Sequence, residues 1–272
     1  MPVASSNNAA LTLDCLNRTS VFETFRVYGG QIFRAQEHML RLSQSCAALA
    51  KDLPVPKQKL IEWLENSIQE SKTPDATLRL SVHWQTEGEG QLVLFIREFQ
   101  SHPEAWYENG VALRTAVGRR PTLQAQDPQI KASQYVCGVL AFLDYTGTAQ
   151  PAASSDVHEL LFLGSLGTLA EGTVSNIFIV KENSLLTPSM GSGILKGVTR
   201  GFVLELAQKR FRNVVERPLT RHEVYTAEEC FITNTSSEVL PVVRVDERRI
   251  GSGRPGPATK VLAKDFKKEV MA

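Results

Sequence analysis

The chain has 272 residues, which is enough for two ordinary domains or one large one. Hydrophobic residues make up 42% and charged residues 22%, values that are typical of a globular protein and argue against a disordered or fibrous chain. Lysine and arginine number 30 against 29 acidic residues, so the net charge is +1, and no segment concentrates one sign of charge. Nucleic acid and anionic membrane are therefore poor expectations as partners.

The cysteines and the opening residues indicate the compartment. The four cysteines are far apart, with no C-x-x-C pair and no histidine cluster, which predicts buried reduced thiols instead of a disulfide framework or a metal site. The first residues lack the basic start and long apolar stretch of a signal peptide, and no apolar run approaches the ~20 residues of a membrane span. We expect a cytoplasmic enzyme or binding protein.

The first part of the chain predicts strands and helices in alternation. Residues 20–35 predict two strands joined at Tyr28-Gly29-Gly30, and helical spacing follows over 37–53 and 56–71. Residues 76–84 alternate strictly, which predicts a strand with Leu78, Leu80 and Val82 on its apolar face and Arg79 on the other. Further strands are expected at 91–99 and 110–118.

The second part is predicted to be richer in strands. The polar stretch 119–129 contains two prolines and predicts an interdomain linker, between a small α/β domain at 1–118 and a larger domain at 130–272. Residues 130–145 predict a helix entered just after Lys131, and residues 197–211 predict another. Strands are expected at four further places, namely 159–164, 176–180, 184–188 and 229–234.

Two charged side chains are unusual in their positions. A lysine at the start of an apolar helix, as predicted for Lys131, opposes the helix dipole, and burial would lower its pKa further. A neutral amine of this kind suits a nucleophile that forms an imine with an aldehyde, although a solvated lysine at a helix end is the alternative. Glu171 directly precedes a run that predicts a buried strand, so we expect its carboxylate to meet either solvent or a cationic partner.

Three features could bind an anion. Glycines in 191–202 lead into a helix whose first backbone N–H groups, from about Val198 and Thr199, could hold a phosphate. A strand ends in hydroxyl-bearing residues at 233–241, and Arg79 could bind phosphate or carboxylate through its fork of N–H groups. An ordinary loop, a plain turn and a solvated arginine are the respective alternatives.

Taken together, five stretches point to one family. They are "VFETFRVYGGQIFRAQEHMLRL", "IKASQY", "LAEGTVSNIFIV", "LLTPSMGSGILKGVTR" and "CFITNTSSEVLPV", and the likeness runs from about Val21 to Lys264. The chain resembles the fold-type IV (class IV) pyridoxal-phosphate aminotransferases, a group that includes branched-chain and D-amino acid aminotransferases and aminodeoxychorismate lyase. The resemblance implies a two-domain α/β fold, with an N-terminal α/β sandwich and a C-terminal pseudo-barrel. It also implies pyridoxal 5'-phosphate as cofactor and a homodimer.

The resemblance further implies roles in cofactor binding. Lys131 would be the Schiff-base lysine and would move the proton between the substrate Cα and C4′ of the cofactor. Glu171 would face the pyridine nitrogen, and the protonated ring would then be its cationic partner. The residues that would hold the phosphate are Arg79, Val198 and Thr199 through their backbone N–H groups, and Thr235 through its side chain.

Other residues follow from the same resemblance. Ser236 and Ser237 would offer backbone amides to the substrate carboxylate. Tyr135, four residues after Lys131, would approach the 3′-oxygen of the cofactor, although branched-chain enzymes space this tyrosine one residue further along. Glu23 would lie behind the residues that contact the cofactor.

The expected activity is transfer of an amino group between an amino acid and a 2-oxo acid. The alternative within the family is a 4-amino-4-deoxychorismate lyase that releases pyruvate and 4-aminobenzoate, which the chain length and "VFETFR" suit equally well. The chain lacks the Arg-x-His pair of D-amino acid enzymes and the longer glycine-rich central segment of most branched-chain enzymes. Because "TSSEVLPV" and "IGSGRPGPATK" are more similar to aminotransferases, we favour the transferase. A non-catalytic binding protein that kept the fold is a third hypothesis.

Overall fold

The computed structural model describes residues 19–84, 89–123, 126–133, 136–146 and 157–271. The chain divides into two compact units. The first unit comprises Met1–Gln100 together with Ile130–Gln134, and the second comprises Ser101–Gln129 together with Tyr135–Ala272. The division therefore differs from the predicted one, because residues 101–118 belong to the second unit and residues 130–134 to the first.

The first unit contains a four-stranded antiparallel sheet in the order β2-β1-β3-β4. The strands are β1 (Thr19–Tyr28), β2 (Gln31–Ile32), β3 (Ala76–Trp84) and β4 (Gln91–Glu98). The predicted hairpin is confirmed: Gly29 and Gly30, which join β1 to β2, have φ angles of 54° and 85°, a region that glycine enters at little cost.

Two helices, α1 (Ala35–Ala48) and α2 (Lys57–Ser71), pack with this sheet. The predicted apolar faces of α2 and β3 are both buried, and their side chains share one core with α1. Fully buried members of that core are Phe25, Met39, Leu42, Leu60, Leu64, Leu78 and Leu80. Each such side chain contributes about 1.5–3 kcal/mol by leaving water, which keeps α1 fixed against β1.

The second unit contains a nine-stranded mixed sheet within its described residues. Along its main path the order is β10-β9-β8-β11-β12-β5-β6-β7, and β13 pairs with β12. The strands are β5 (Val111–Arg119), β6 (Glu159–Leu163), β7 (Leu169–Gly172), β8 (Asn176–Lys181), β9 (Ser184–Thr187), β10 (Asn213–Glu216), β11 (Glu229–Asn234), β12 (Glu238–Val245) and β13 (Arg248–Arg249). Because β5 pairs in parallel with both β6 and β12, residues 111–119 cannot belong to a separate small domain or linker.

The helices of the second unit are α3 (Glu104–Asn109), α4 (Val136–Thr146), α5 (Val198–Gln208), α6 (Arg221–Tyr225) and α7 (Pro257–Val270). The apolar runs that predicted strands at β6 and β8 are buried along almost their whole length, as expected of strands covered on both faces. They join a core that includes Leu113, Leu161, Ile177, Ile179, Ile232 and Leu240.

Three cysteines are described, and Cys46, Cys137 and Cys230 all carry free thiols. No helix in the described ranges combines the length and the apolar character needed to cross a membrane.

Candidate active site

Lys131 lies in extended backbone, so the prediction that it enters a helix is wrong. The nearest helix, α4, begins at Val136, and Ala132 instead forms a β-bridge with Val21. The N–H of Phe22 donates to the carbonyl of Lys131 at 3.0 Å, and the N–H of Lys131 donates to Ser45 Oγ at 3.2 Å. Main-chain pairing with β1 therefore fixes the lysine, and the helix-dipole argument for its reactivity does not apply.

The ring of Phe22 brings two cations of the first unit together. Lys131 Nζ lies 4.7 Å from the ring centroid, and the guanidinium carbon of Arg79 lies 3.7 Å from it. Partial burial and then the charge of Arg97 lower the pKa of Arg79. Within the described ranges neither Arg79 nor Arg97 forms an ion pair, so this surface attracts an anion.

A buried polar cluster lies on the inner side of α1. Glu23 is 0% exposed and accepts hydrogen bonds from Arg41 Nε and Nη2 and shares one with His38 Nδ1, each at 2.7 Å. Burial opposes ionisation of Glu23, but Arg41 and His38 outweigh it and lower the pKa of Glu23 to about 2. Burial lowers the pKa of His38, and the charges of Arg41 and Lys131 act in the same direction. The cluster thus holds an ionised glutamate and a neutral histidine.

Sequence reasoning did not single out Arg41 or His38. A signal was present, since His38, Arg41 and Ser45 are spaced i, i+3, i+7 directly beside the buried residues Met39 and Leu42. Polar side chains that continue the inward face of a helix have to be paired, which is what the contacts with Glu23 achieve.

In the second unit, Glu171 is 5% exposed and has the cationic partner that its burial requires. Its Oε1 accepts a hydrogen bond from Arg120 Nη2, and its Oε2 accepts from Asn176 Nδ2 at 3.1 Å and from the Leu195 N–H at 3.0 Å. Donors alone surround both oxygens in these contacts, an arrangement that favours the ionised carboxylate. The sequence did not indicate Arg120, because it lies within the stretch predicted to be a linker.

The start of α5 provides the predicted set of backbone donors. The helix begins at Val198, both Val198 and Thr199 are buried, and the first N–H groups of a helix have no acceptor within it. Gly197 precedes them, and a Cβ at this position would overlap with Asn176 Oδ1. The glycine therefore allows α5 to approach the asparagine that also contacts Glu171.

The turn after β11 contains two of the predicted donors, Ser236 and Ser237. Their N–H groups donate to Asn234 Oδ1 at 2.8 and 2.7 Å, and their contact with the substrate carboxylate stays a prediction. An asparagine two residues before the first amide is a recognised turn-forming pattern that the sequence carried. Among the described residues, the hydroxyl groups of Thr235 and Ser236 have no hydrogen-bond partner, which leaves them as the donors of this turn.

Each unit therefore contains part of the predicted set. The first holds Lys131, Arg79 and Glu23, and the second holds Glu171 and the donors of α5 and the 235–237 turn. Tyr135 lies outside the described residues. The chemistry of these residues fits pyridoxal phosphate. Its aldehyde requires an amine, its pyridine nitrogen requires a carboxylate, and its phosphate requires N–H and O–H donors.

Comparison with known proteins decides the family. The family model for amino-transferase class IV matches residues 20–245. The chain belongs to the class IV aminotransferases. It is 32% identical over 260 residues to the branched-chain-amino-acid aminotransferase of Pseudomonas aeruginosa, covering 90% of this chain and 82% of the relative.

Two further comparisons bear on fold and activity. The crystal structure of the T.th. branched-chain amino acid aminotransferase with pyridoxamine 5'-phosphate matches with a TM-score of 0.85 and 26% identity, over 93% of this chain and 85% of that one. The aminodeoxychorismate lyase of Bacillus subtilis is 28% identical over 261 residues, covering 92% of this chain and 85% of the relative. The predicted fold-type IV architecture, the aminotransferase activity and the pyridoxal phosphate cofactor of this class IV aminotransferase are thereby confirmed.

Proposed function

We propose that this class IV aminotransferase moves the amino group between a branched-chain amino acid and a 2-oxo acid. The observation that carries the proposal is the likeness of nearly the whole chain, in sequence and in fold, to enzymes named for that substrate class. The lyase reaction is less supported, because the relative with that name is less similar to this chain.

Lys131 and Glu171 have the central roles in this proposal. Bound pyridoxal phosphate supplies a carbonyl carbon that an amine can attack and a ring that withdraws electrons from the substrate. Lys131 would hold the cofactor through Nζ and, once released, would act as the base for the proton on the substrate Cα. The Glu171 carboxylate would accept a hydrogen bond from the protonated ring nitrogen, while Arg120, Asn176 and the Leu195 N–H keep the carboxylate in one orientation.

Two arginines of the first unit are candidates for binding anionic groups of the cofactor and the substrate. Arg41 is buried and is fixed by two hydrogen bonds to Glu23. A rigid buried guanidinium suits the phosphate of a resident cofactor, which does not exchange with solvent at each turnover. Arg79 is only partly buried, more exposed than Arg41, and suits the carboxylate of an entering substrate. We therefore propose Arg41, with Thr235 and the first N–H groups of α5, for the phosphate that the sequence assigned to Arg79.

Lysine substitutions separate these roles, because lysine keeps the charge but loses the fork of N–H groups. Arg41→Lys should weaken binding of pyridoxal phosphate to the apoprotein by about tenfold or more. Arg79→Lys should raise KM for the amino acid by a similar factor and leave cofactor affinity within about twofold. Absorbance titration with the cofactor and steady-state kinetics measure the two effects. If Arg79→Lys weakened cofactor binding and Arg41→Lys did not, Arg79 would be the phosphate-binding residue, as first predicted.

Absorbance of the bound cofactor tests the proposed substrate class. Leucine, isoleucine and valine should each convert the cofactor to its amine form without a second substrate, and a 2-oxo acid should restore the original spectrum. A panel of other L- and D-amino acids is the comparison. Conversion by a different class alone would overturn the substrate assignment. Pyruvate and 4-aminobenzoate released from aminodeoxychorismate with no amino acceptor present would instead favour the lyase.

Assembly and compartment remain proposals of the same kind. A homodimer in the cytoplasm is supported by exposed apolar side chains, such as Leu166 and Val174, and by the free thiols of the described cysteines. Sedimentation velocity should show a species with the mass of two chains, and a monomer alone would contradict the proposed homodimer.

A further inference from the structure

We propose that Glu159 is a positioning residue that holds two segments of the second unit in place for the reaction. The first segment is the turn at 173–175, which directly follows Glu171 and Gly172. The second is the 235–237 turn, which carries Thr235. The proposal rests on the roles given above to Glu171 and Thr235.

Glu159, on β6, is 2% exposed, and its carboxyl group accepts hydrogen bonds from all three residues of the 173–175 turn. Oε1 accepts hydrogen bonds from the N–H groups of Val174 and Ser175, at 2.5 and 3.0 Å, and from Thr173 Oγ1 at 3.1 Å. Oε2 accepts from Ser175 Oγ at 2.7 Å. Burial raises the pKa of Glu159, and the hydrogen bonds from Val174, Ser175 and Thr173 act against that rise.

The same carboxylate explains the glycine that follows Glu171 in the sequence. A Cβ at Gly172 would overlap with Glu159 Oε1, well inside contact distance. A larger residue would push Glu159 away from the turn or displace β7. In the Glu-Gly pair at 171–172, Glu171 is therefore proposed to contact the cofactor, and Gly172 leaves the space that the Glu159 side chain occupies.

Ser175 connects Glu159 to the second segment through hydrogen bonds. Asn234 Nδ2 donates to Ser175 Oγ at 2.9 Å, and Asn234 Oδ1 accepts the N–H groups of Ser236 and Ser237. The Ser175 hydroxyl in turn donates to Glu159 Oε2, so Ser175 Oγ links the Asn234 amide to the Glu159 carboxyl group. A glutamine at 159 that kept its oxygen on the backbone N–H groups would turn its NH₂ toward Ser175, and the serine hydroxyl would lose its acceptor there.

The chain offers a closely matched control in Glu229. This glutamate is also buried, and it accepts hydrogen bonds from two backbone N–H groups and one hydroxyl, of Ala258 and Thr259, at 2.7–3.0 Å. It too has a glycine against it, since a Cβ at Gly256 would overlap with its carboxylate. Glu229 supports the start of α7 and contacts neither of the two segments.

The test compares Glu159→Gln, Asn234→Ala, the double variant and Glu229→Gln. In the apoprotein, hydrogen–deuterium exchange at 235–237 should rise by about tenfold in both Glu159→Gln and Asn234→Ala, because each breaks the same chain of bonds. Affinity for added pyridoxal phosphate should fall by a similar factor. The double variant should match either single variant, since residues in one network do not act additively. Glu229→Gln should leave both quantities within about twofold.

Two results would overturn the proposal. The first is equal behaviour of Glu159→Gln and Glu229→Gln, which indicates only a general loss of stability. The second is additive effects of Glu159→Gln and Asn234→Ala. Should Glu159→Gln fail to fold, Ser175→Ala breaks the same chain at its middle and has to give the Asn234→Ala result. Exchange is measured without cofactor, so the network is tested even if the proposed aminotransferase reaction is wrong.

Discussion

Replacing Lys131 with alanine should reduce kcat by at least about 10³-fold, because one amine both attaches the cofactor and moves the substrate proton. The visible absorbance of the covalently attached cofactor should disappear as well. The fold should survive, since the carbonyl and the N–H of Lys131 bond to Phe22 and Ser45 through the main chain, which the substitution keeps. Kinetics, absorbance and circular dichroism measure the three outcomes.

Lys57→Ala is the control for this experiment. Lys57 is an exposed lysine at the start of α2 in the same unit, and its loss should change neither absorbance nor turnover. A Lys131→Ala protein that retained more than about a tenth of wild-type turnover would show that another group performs the proton transfer.

Replacing Glu171 with glutamine should have the second largest effect, and the structure changes what is expected of it. A neutral amide cannot hold the ring nitrogen protonated, so kcat should fall by about 10²-fold or more. Three donors, from Arg120, Asn176 and the Leu195 N–H, would also meet a side chain with a single oxygen. Because the buried Arg120 loses the charge of Glu171, the free energy of unfolding should fall by about 3 kcal/mol.

A second variant separates the two effects of this change. Removing the cation as well, in Arg120→Met/Glu171→Gln, should restore part of the lost stability while leaving kcat low. Urea unfolding and single-turnover kinetics give the two quantities. Turnover close to wild type in Glu171→Gln would contradict the assigned role, whatever its stability.

Local patterns were sufficient for much of the fold. The paired glycines at 29–30 predicted the hairpin, strict alternation predicted β3, and the apolar runs at 159–164 and 176–180 predicted two buried strands. These signals are contained within a few residues, so neighbouring chain segments have little influence on them.

Contacts between distant residues account for what the sequence did not show. The segment around Lys131 is extended because it pairs with β1, more than a hundred residues earlier, although the apolar run after it predicts a helix. Arg120 and Glu171 are 51 positions apart, and no local pattern joins them. In the same way, the sequence alone places β5 in the small domain because its strand partners, β6 and β12, follow much later in the chain.

The 235–237 turn is a different case, because its signal was local. Asn234 stands two and three residues before Ser236 and Ser237, and asparagine in that position commonly accepts the N–H groups of the residues that follow. A substrate carboxylate would therefore compete with the Asn234 side chain for these amides.

Mapping the cofactor's attachment site tests the central claim most directly. The protein is saturated with pyridoxal phosphate, reduced with sodium borohydride, digested and analysed by mass spectrometry. We expect the added phosphopyridoxyl mass on Lys131 and on no other lysine, at close to one per chain. Label on a different lysine, or none above the level of a denatured control, would contradict it.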